Sequence, residues 1–323
     1  MAVSRGSRVC LLGGTGFVGR SLIGLLIENG YEVAVPTRSR ERNRNLLVIP
    51  SLDLIEADVH DQSTLTRLLH GCDAAINLIG ILNEAGHDGA GFKRAHADLA
   101  QTLVYACQRS GVQRLLQMSA LKADAQLGPS HYLRTKGQAE NIIKASSGQG
   151  LKYTIFRPSV IFGAHDSFTN RFAALLRLLP VLPLARAQAR FAPVFVEDVA
   201  HAFVAALHNS ESYGRTYELC GPDIYSLREL VSFVRRLLGR KRIIVPLPRA
   251  LGRLQALIGD YLLPGKPFSL DNFRSLEVAS VCAEDGLALL GIKPHSLPAI
   301  APTYLGSASR HGLLARLRQG ARR

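Results

Sequence analysis

Gly13-Gly14-Thr15-Gly16-Phe17-Val18-Gly19 follows the apolar run Arg8-Val9-Cys10-Leu11-Leu12 and precedes the spaced residues Leu22, Leu25 and Leu26. A β-prone run, a turn with glycine at every third position and helical spacing together predict a strand, a tight turn and a helix start. In such a turn Gly13 supplies a backbone conformation that other residues avoid. Gly16 lets phosphate approach the main chain, and Gly19 lets helix and strand pack closely. The helix N-terminus then offers free N–H groups and a partial positive charge, so Gly13, Thr15, Gly16, Phe17, Val18 and Gly19 form a candidate pyrophosphate site.

Outward from this stretch, 323 residues suit a nucleotide-binding domain with a smaller one appended, and a 47% hydrophobic content can bury a sizeable core. Five cysteines (Cys10, Cys72, Cys107, Cys220, Cys282) show no close pairing, which reads as reduced packing residues in a cytoplasmic protein, with neither a disulfide framework nor a zinc or other metal site. Val9–Leu12 is too short for a signal-peptide core, and no apolar stretch approaches the ~20 residues of a spanning helix. The net charge of +14 fits an anionic cofactor, a membrane surface or an acidic partner. Nucleic acid is disfavoured, because the basic residues are not interleaved with aromatics and no nucleic-acid-binding motif occurs.

Tyr31–Pro36 reads as the second strand and runs into Thr37-Arg38-Ser39-Arg40. An acidic residue at this point would hold a free ribose 2′-hydroxyl; Arg38 stands there instead, and a guanidinium suits a 2′-phosphate. NADP(H) is therefore expected in preference to NAD(H). A third strand, Leu52–Ala57, leads to Asp58 and Val59, where Asp58 is placed either to accept from the adenine amino group or to cap the helix over 62–70. The apolar strand Ala74–Gly80 brings Asn77 and Gly80 to the carboxyl edge, where cofactors lie in open parallel sheets. The alternation of strands and helices predicts an α/β, Rossmann-type doubly wound parallel sheet with a smaller C-terminal α/β substrate domain.

A helix over 92–110 leads to the strand Arg114–Ser119, and Tyr132-Leu133-Arg134-Thr135-Lys136 then places a phenol and an ammonium four apart on one helix face. Ser119, Tyr132 and Lys136 suit proton-coupled hydride transfer. Tyr132 would exchange a proton with a carbonyl or carbinol oxygen, and Lys136 would lower the phenol pKa from about 10 and hold the cofactor ribose. Ser119 would hydrogen-bond the same substrate oxygen. A strand over 152–158 ends where Pro158 and Val160 line the nicotinamide end.

With these residues the chain resembles the short-chain dehydrogenase/reductase superfamily in its extended or atypical, epimerase/dehydratase-like branch. It is closer still to the family of the nucleotide-binding accessory subunit of respiratory complex I and its bacterial relatives. The resemblance rests on 13–19, Ala95-His96, Gly111–Arg114, Met118–Leu121, Tyr132–Lys136, Glu140, Arg157–Gly163, Asp166–Phe172 and Pro193–Ala200, and so covers most of the chain. It implies one tightly held NADP(H), His96 among the cofactor-binding positions, and partners in the respiratory chain or quinone biosynthesis at the inner membrane. Unlike the animal subunits, this chain keeps Ser119, Tyr132 and Lys136 together. His96 stands where extended reductases more often carry an asparagine, which sets the chain apart from their sugar-nucleotide chemistry.

The expected division is 1–160 for the NADP(H)-binding domain, to which 191–220 returns, with 161–190 and 221–310 in the smaller domain and 311–323 as a basic tail. Asn170, Arg171 and Arg190 read as helix-surface or Asp166-pairing groups, or as groups facing a substrate. Ser226 with Glu229 has the form of a capping box. Over 248–263, Leu251, Leu254, Leu257 and Ile258 alternate with Arg249 and Arg253 as in ordinary amphipathic packing. The tail joins a small apolar face to several arginines and reads either as a docking element for an anionic membrane surface or as a basic terminus. Two classes of function fit: a cofactor-bound accessory or assembly protein with possible oxidoreductase activity, and, as the alternative, a catalytically active enzyme, either an NADPH-dependent reductase or dehydrogenase of a small or quinone-related carbonyl or a sugar-nucleotide epimerase/dehydratase.

Overall fold

The computed structural model describes residues 6–263, 266 and 268–305. Of these, the residues up to Pro158, Glu197–Leu219 and Glu284–Ile292 form one compact unit; Ser159–Val196, Cys220–Ala283 and the residues from Lys293 on form another. The basic tail at 311–323 lies outside the described residues.

The first unit alternates β1 (Arg8–Leu12), α1 (Phe17–Glu28), β2 (Glu32–Thr37), β3 (Leu52–Glu56), α2 (Gln62–Leu69), β4 (Ala74–Asn77), α3 (Ala90–Lys93), α4 (Leu99–Ser110), β5 (Arg114–Met118), α5 (His131–Ala145) and β6 (Lys152–Pro158). The chain then passes through β7 (Ile161–Phe162), α6 (Thr169–Leu178), β8 (Val181–Leu184), β9 (Arg190–Phe191) and β10 (Val194–Phe195) of the second unit. It returns with α7 (Val196–His208) and β11 (Arg215–Leu219). β12 (Tyr225–Ser226), α8 (Leu227–Leu237), β13 (Ile243–Pro246) and α9 (Arg249–Tyr261) resume the second unit.

Seven strands make one sheet in the order β11-β6-β5-β4-β1-β2-β3 with every pair parallel. The order reverses between β1 and β4, and at such a switch point the carboxyl ends of the strands open a crevice. The glycine turn leaves β1 there. β4 and β5 are buried throughout, as strands covered by helices on both faces must be. Leu65, Leu103, Cys107, Leu115 and Ile143 share one core cluster.

Arg114 is a cation inside this core. Its guanidinium donates to Lys152 O, Thr154 Oγ1, Ala206 O and Ser212 Oγ at 2.7–2.9 Å, and lies 4.7 Å from the centre of the Tyr213 ring. Those acceptors replace water around the charge and join β5, β6 and α7. Burial still lowers its pKa to about 10.

In the second unit Ser226 and Glu229 close the expected capping box at the start of α8. Three expectations are corrected. Within the stretch 191–220 expected to return to the first domain, Pro193–Val196 stays outside the main sheet: β10 pairs with β7 in a separate two-stranded sheet. Cys220 and Cys282, 62 residues apart, are joined in a disulfide with their Cα atoms 6.0 Å apart, while Cys10, Cys72 and Cys107 are free and buried. A pairing so distant in sequence leaves no spacing signal, and burial pushes the Cys107 thiol up to about 12. Finally, α9 packs through Gly252, Ala256, Gly259 and Asp260, and its large apolar side chains are exposed.

Candidate nucleotide site

Gly13 has φ +79°, a region that favours glycine, and a Cβ added to Gly19 would lie 2.5 Å from Gly13 O and Gly14 Cα. Helix α1 therefore seats against β1 only because side chains are missing. A Cβ on Gly16 would meet nothing within 4 Å but Gly13 O, at 3.1 Å, so this position is open on its outer side. Gly16 is also the N-cap of α1, with no side-chain cap and no acid in the first turn. The free N–H groups and the helix dipole are left for an anion from outside, and Thr15, Phe17 and Val18 lie on either side of that opening.

Arg20, one residue beyond the glycines, ties this turn to the loop after β2. Its Nε donates to Thr15 O at 3.0 Å and its terminal nitrogen to Asn43 Oδ1 at 3.1 Å. Asn43 Nδ2 in turn donates to Thr37 Oγ1 and Ser39 O. The segment that carries the exposed Arg38 is thus held beside the glycine turn. Nothing in the residue types of Arg20 and Asn43 marks this link in the sequence.

Asp58 is exposed and accepts the His60 N–H at 2.9 Å within its own turn. It does not cap α2; Asp61 does, accepting from Thr64 N at 2.8 Å. Val59 is buried in the core cluster. Asn77 is also buried: Nδ2 donates to Gln117 Oε1 at 2.9 Å and Oδ1 accepts from Ile79 N at 3.0 Å. Asn77 therefore shapes the turn after β4, and both ends of its amide are engaged within the protein.

Gly80, His96 and Lys136 come together from three elements. A Cβ on Gly80 would lie 3.0 Å from Lys136 Nζ and 3.5 Å from His96 Nε2. Lys136, buried on α5, donates to Met118 O at 3.1 Å; burial pulls its pKa down to about 8, against an opposing pull from Glu140. His96 sits on a wide π-helical turn, Arg94–Asp98, a distortion found often at functional sites. The Ile81 N–H donates to His96 Nε2 at 3.2 Å, so Nδ1 carries the proton and donates to Thr135 Oγ1 at 2.8 Å. Burial, with the Lys136 ammonium adding to it, pushes His96 down to about 2, so the ring is neutral. Tyr132 stands edge-on to His96 and Phe92, with ring centres 5.5 and 6.2 Å away.

Ser119 is engaged within the protein. Its hydroxyl donates to Glu140 Oε1 at 2.6 Å, and the same buried carboxylate takes two bonds from Arg157, at 2.8 and 2.6 Å, and one from Lys144 at 3.1 Å. Ser119 is a strut between the end of β5 and α5. The next two residues, Ala120 and Leu121, are buried and carry no hydroxyl. Glu140 was within reach of the sequence reading, because it lies one helical turn beyond Lys136. Pro158 pairs with Leu219 at the edge of the sheet, and its carbonyl accepts from Leu121 N at 3.1 Å. Val160 falls in the second unit, where its carbonyl accepts from Val194 N.

A glycine turn at the switch point of a parallel sheet, an uncapped N-terminus on α1 and a tyrosine and lysine one turn apart on α5 define a nicotinamide-nucleotide-binding protein of the short-chain dehydrogenase/reductase type. The chain belongs to the NAD dependent epimerase/dehydratase family, which it matches over residues 9–220. It is 30% identical over 304 residues to the NADH dehydrogenase [ubiquinone] 1 alpha subcomplex subunit 9, mitochondrial, of Arabidopsis thaliana, covering 89% of this chain and 74% of that one. It is 26% identical to the ceramide reductase of Caulobacter vibrioides, covering 77% and 76%. Among solved structures, the dTDP-glucose 4,6-dehydratase of Streptomyces venezuelae shares the fold with a TM-score of 0.74 at 19% identity, over 95% of this chain and 98% of that one.

Proposed function

We propose that this chain is an NADP(H)-holding accessory or assembly protein of the respiratory chain at the inner membrane, in which the nucleotide is kept as part of the protein rather than turned over rapidly. The observation that carries this reading is the Ser119–Glu140 bond of 2.6 Å. The hydroxyl that would position a substrate oxygen is spent on a buried carboxylate. The similarity to a subunit of ubiquinone-linked NADH dehydrogenase supports the partner class.

In this reading the N-terminus of α1 binds the pyrophosphate, Arg38 takes the 2′-phosphate, and Lys136 with Tyr132 orients the nicotinamide ribose. A bound nicotinamide nucleotide supplies or accepts a hydride. A second reading, a reductase of a small or quinone-related carbonyl, is favoured by Lys136. An ammonium with its pKa lowered to about 8, one turn from Tyr132, helps the phenol hold and release a proton at a substrate oxygen.

The cofactor is tested by thermal shift. NADPH is expected to stabilise the protein more than NADH, with an affinity ratio of about tenfold or more, and Arg38→Ala is expected to erase the difference. Equal shifts for the two nucleotides in the parent protein refute the 2′-phosphate site. Tyr132→Phe separates the two readings. In both readings the variant still holds NADPH through its phosphates; an accessory protein also keeps its support of respiration in cells, whereas a reductase loses that support.

A further inference from the structure

Helix α9 has its small residues inside and its large apolar residues outside. Gly252, Ala256 and Gly259 face the second unit, where a Cβ on Gly252 would lie 3.0 Å from Ala185 and one on Gly259 would lie 2.3 Å from Phe268 O. At 100° per residue, Leu251, Leu254, Ile258, Tyr261 and Leu262 fall within one arc of ~100° on the other side. Leu251 and Leu254 are each 51% exposed and Leu262 is 74% exposed. Ile243 and Val245 of β13, the strand that precedes α9 in the chain, and Val181 of β8 paired with it, are exposed as well. Nine of the eighteen exposed large apolar side chains among the described residues thus lie between 243 and 263. A concentration of this kind marks an interaction surface, whereas scattered exposed leucines do not.

The charges around the patch select its occupant. From Arg240 to Lys266 there are six basic residues and one acid, Asp260. That acid is buried, where it pairs with Lys266 at 3.2 Å and accepts from Leu270 N. Arg240, Lys241 and Arg253 are exposed beside the apolar side chains, and Arg249, also exposed, pairs with Glu277 at 3.1 Å. Apolar side chains with an interfacial tyrosine and a basic fringe are the composition of a helix that lies in the headgroup region of an anionic bilayer. No helix among the described residues is long and apolar enough to cross a membrane, so the contact is with its surface.

We propose that α9, with the exposed edge of β8 and β13, docks this protein on an anionic membrane surface. This assignment stands apart from the cofactor and does not depend on the tail.

The test is flotation of the full chain with vesicles of equal parts phosphatidylcholine and phosphatidylglycerol. The parent is expected to float with these vesicles, to float less with phosphatidylcholine alone, and to be released by high salt. Leu254→Asp with Ile258→Asp is expected to weaken partitioning by about tenfold or more at an unchanged melting temperature, because both side chains already face solvent. A Leu254→Gln, Ile258→Gln pair serves if the aspartates disturb folding. Arg253→Glu is expected to weaken binding to the anionic vesicles only. Replacing Arg316, Arg318, Arg322 and Arg323 by Gln is expected to leave most of the binding in place. The proposal is overturned if the α9 variants float like the parent, if the tail variant alone abolishes flotation, or if the parent stays in solution as a dimer that the α9 changes dissociate.

Discussion

Lys136→Met is expected to raise stability at pH 7 by about 3 kcal/mol, and at the same pH to weaken nucleotide binding by about tenfold or more. Lys136 is buried, and burial lowers its pKa from 10.5 to about 8. At pH 7 the folded and unfolded chains both hold the proton, and the folded chain carries the full cost of the desolvated ammonium. Between pH 8 and 10.5 the folded chain releases the proton while the unfolded chain keeps it, so the stability of the parent rises with pH across that window. Methionine has a similar length and no charge, so its advantage should fade over the same interval and vanish above it. Urea unfolding of both proteins from neutral pH to beyond the upper limit measures this directly. A variant no more stable than the parent at pH 7 would show that the ammonium is not strained by its surroundings. A buried ammonium that costs the fold stability suits a task for its charge, and in the function proposed above that task is to meet the nucleotide.

What could be read from the sequence followed the range of the interactions. The glycine turn is local: Gly13 and Gly19 are required by a turn seven residues long, so strand, turn and helix start were visible together. The tyrosine and lysine were visible for the same reason, being one helical turn apart. His96, Gly80 and Lys136 converge from three elements, and only the resemblance brought His96 to notice. The Ser119–Glu140 bond was not legible, because the two residues are 21 apart on different elements and a strand-end hydroxyl gives no sign of which way it points. In α9 periodicity revealed an apolar stripe but not the direction it faces. The packed face was decided by Gly252, Ala256 and Gly259, whose smallness allows a close approach that no large side chain would permit. The Cys220–Cys282 disulfide has no local signature at all.

Glu140→Ala is expected to cost about 3–5 kcal/mol, because it removes one buried carboxylate from three partners at once. Arg157 loses both of its bonds to that carboxylate, Lys144 loses its ion pair, and Ser119 is left as a buried donor. Glu140→Gln keeps the shape and an acceptor for Ser119 while removing the charge, and should fall between Ala and the parent. The same carboxylate allows a direct test of Ser119. If the hydroxyl is a strut, Ser119→Ala costs about 1–2 kcal/mol in the parent and close to nothing in the Glu140→Ala background, with NADPH affinity unchanged. Chemical unfolding of the two single variants and the double variant gives that coupling energy. A Ser119→Ala protein of full stability that has lost a measurable carbonyl reduction would place the hydroxyl at a substrate oxygen instead. That outcome would move the weight from the accessory role to the reductase reading, because Tyr132 and Lys136 would then have the third group that proton-coupled hydride transfer requires.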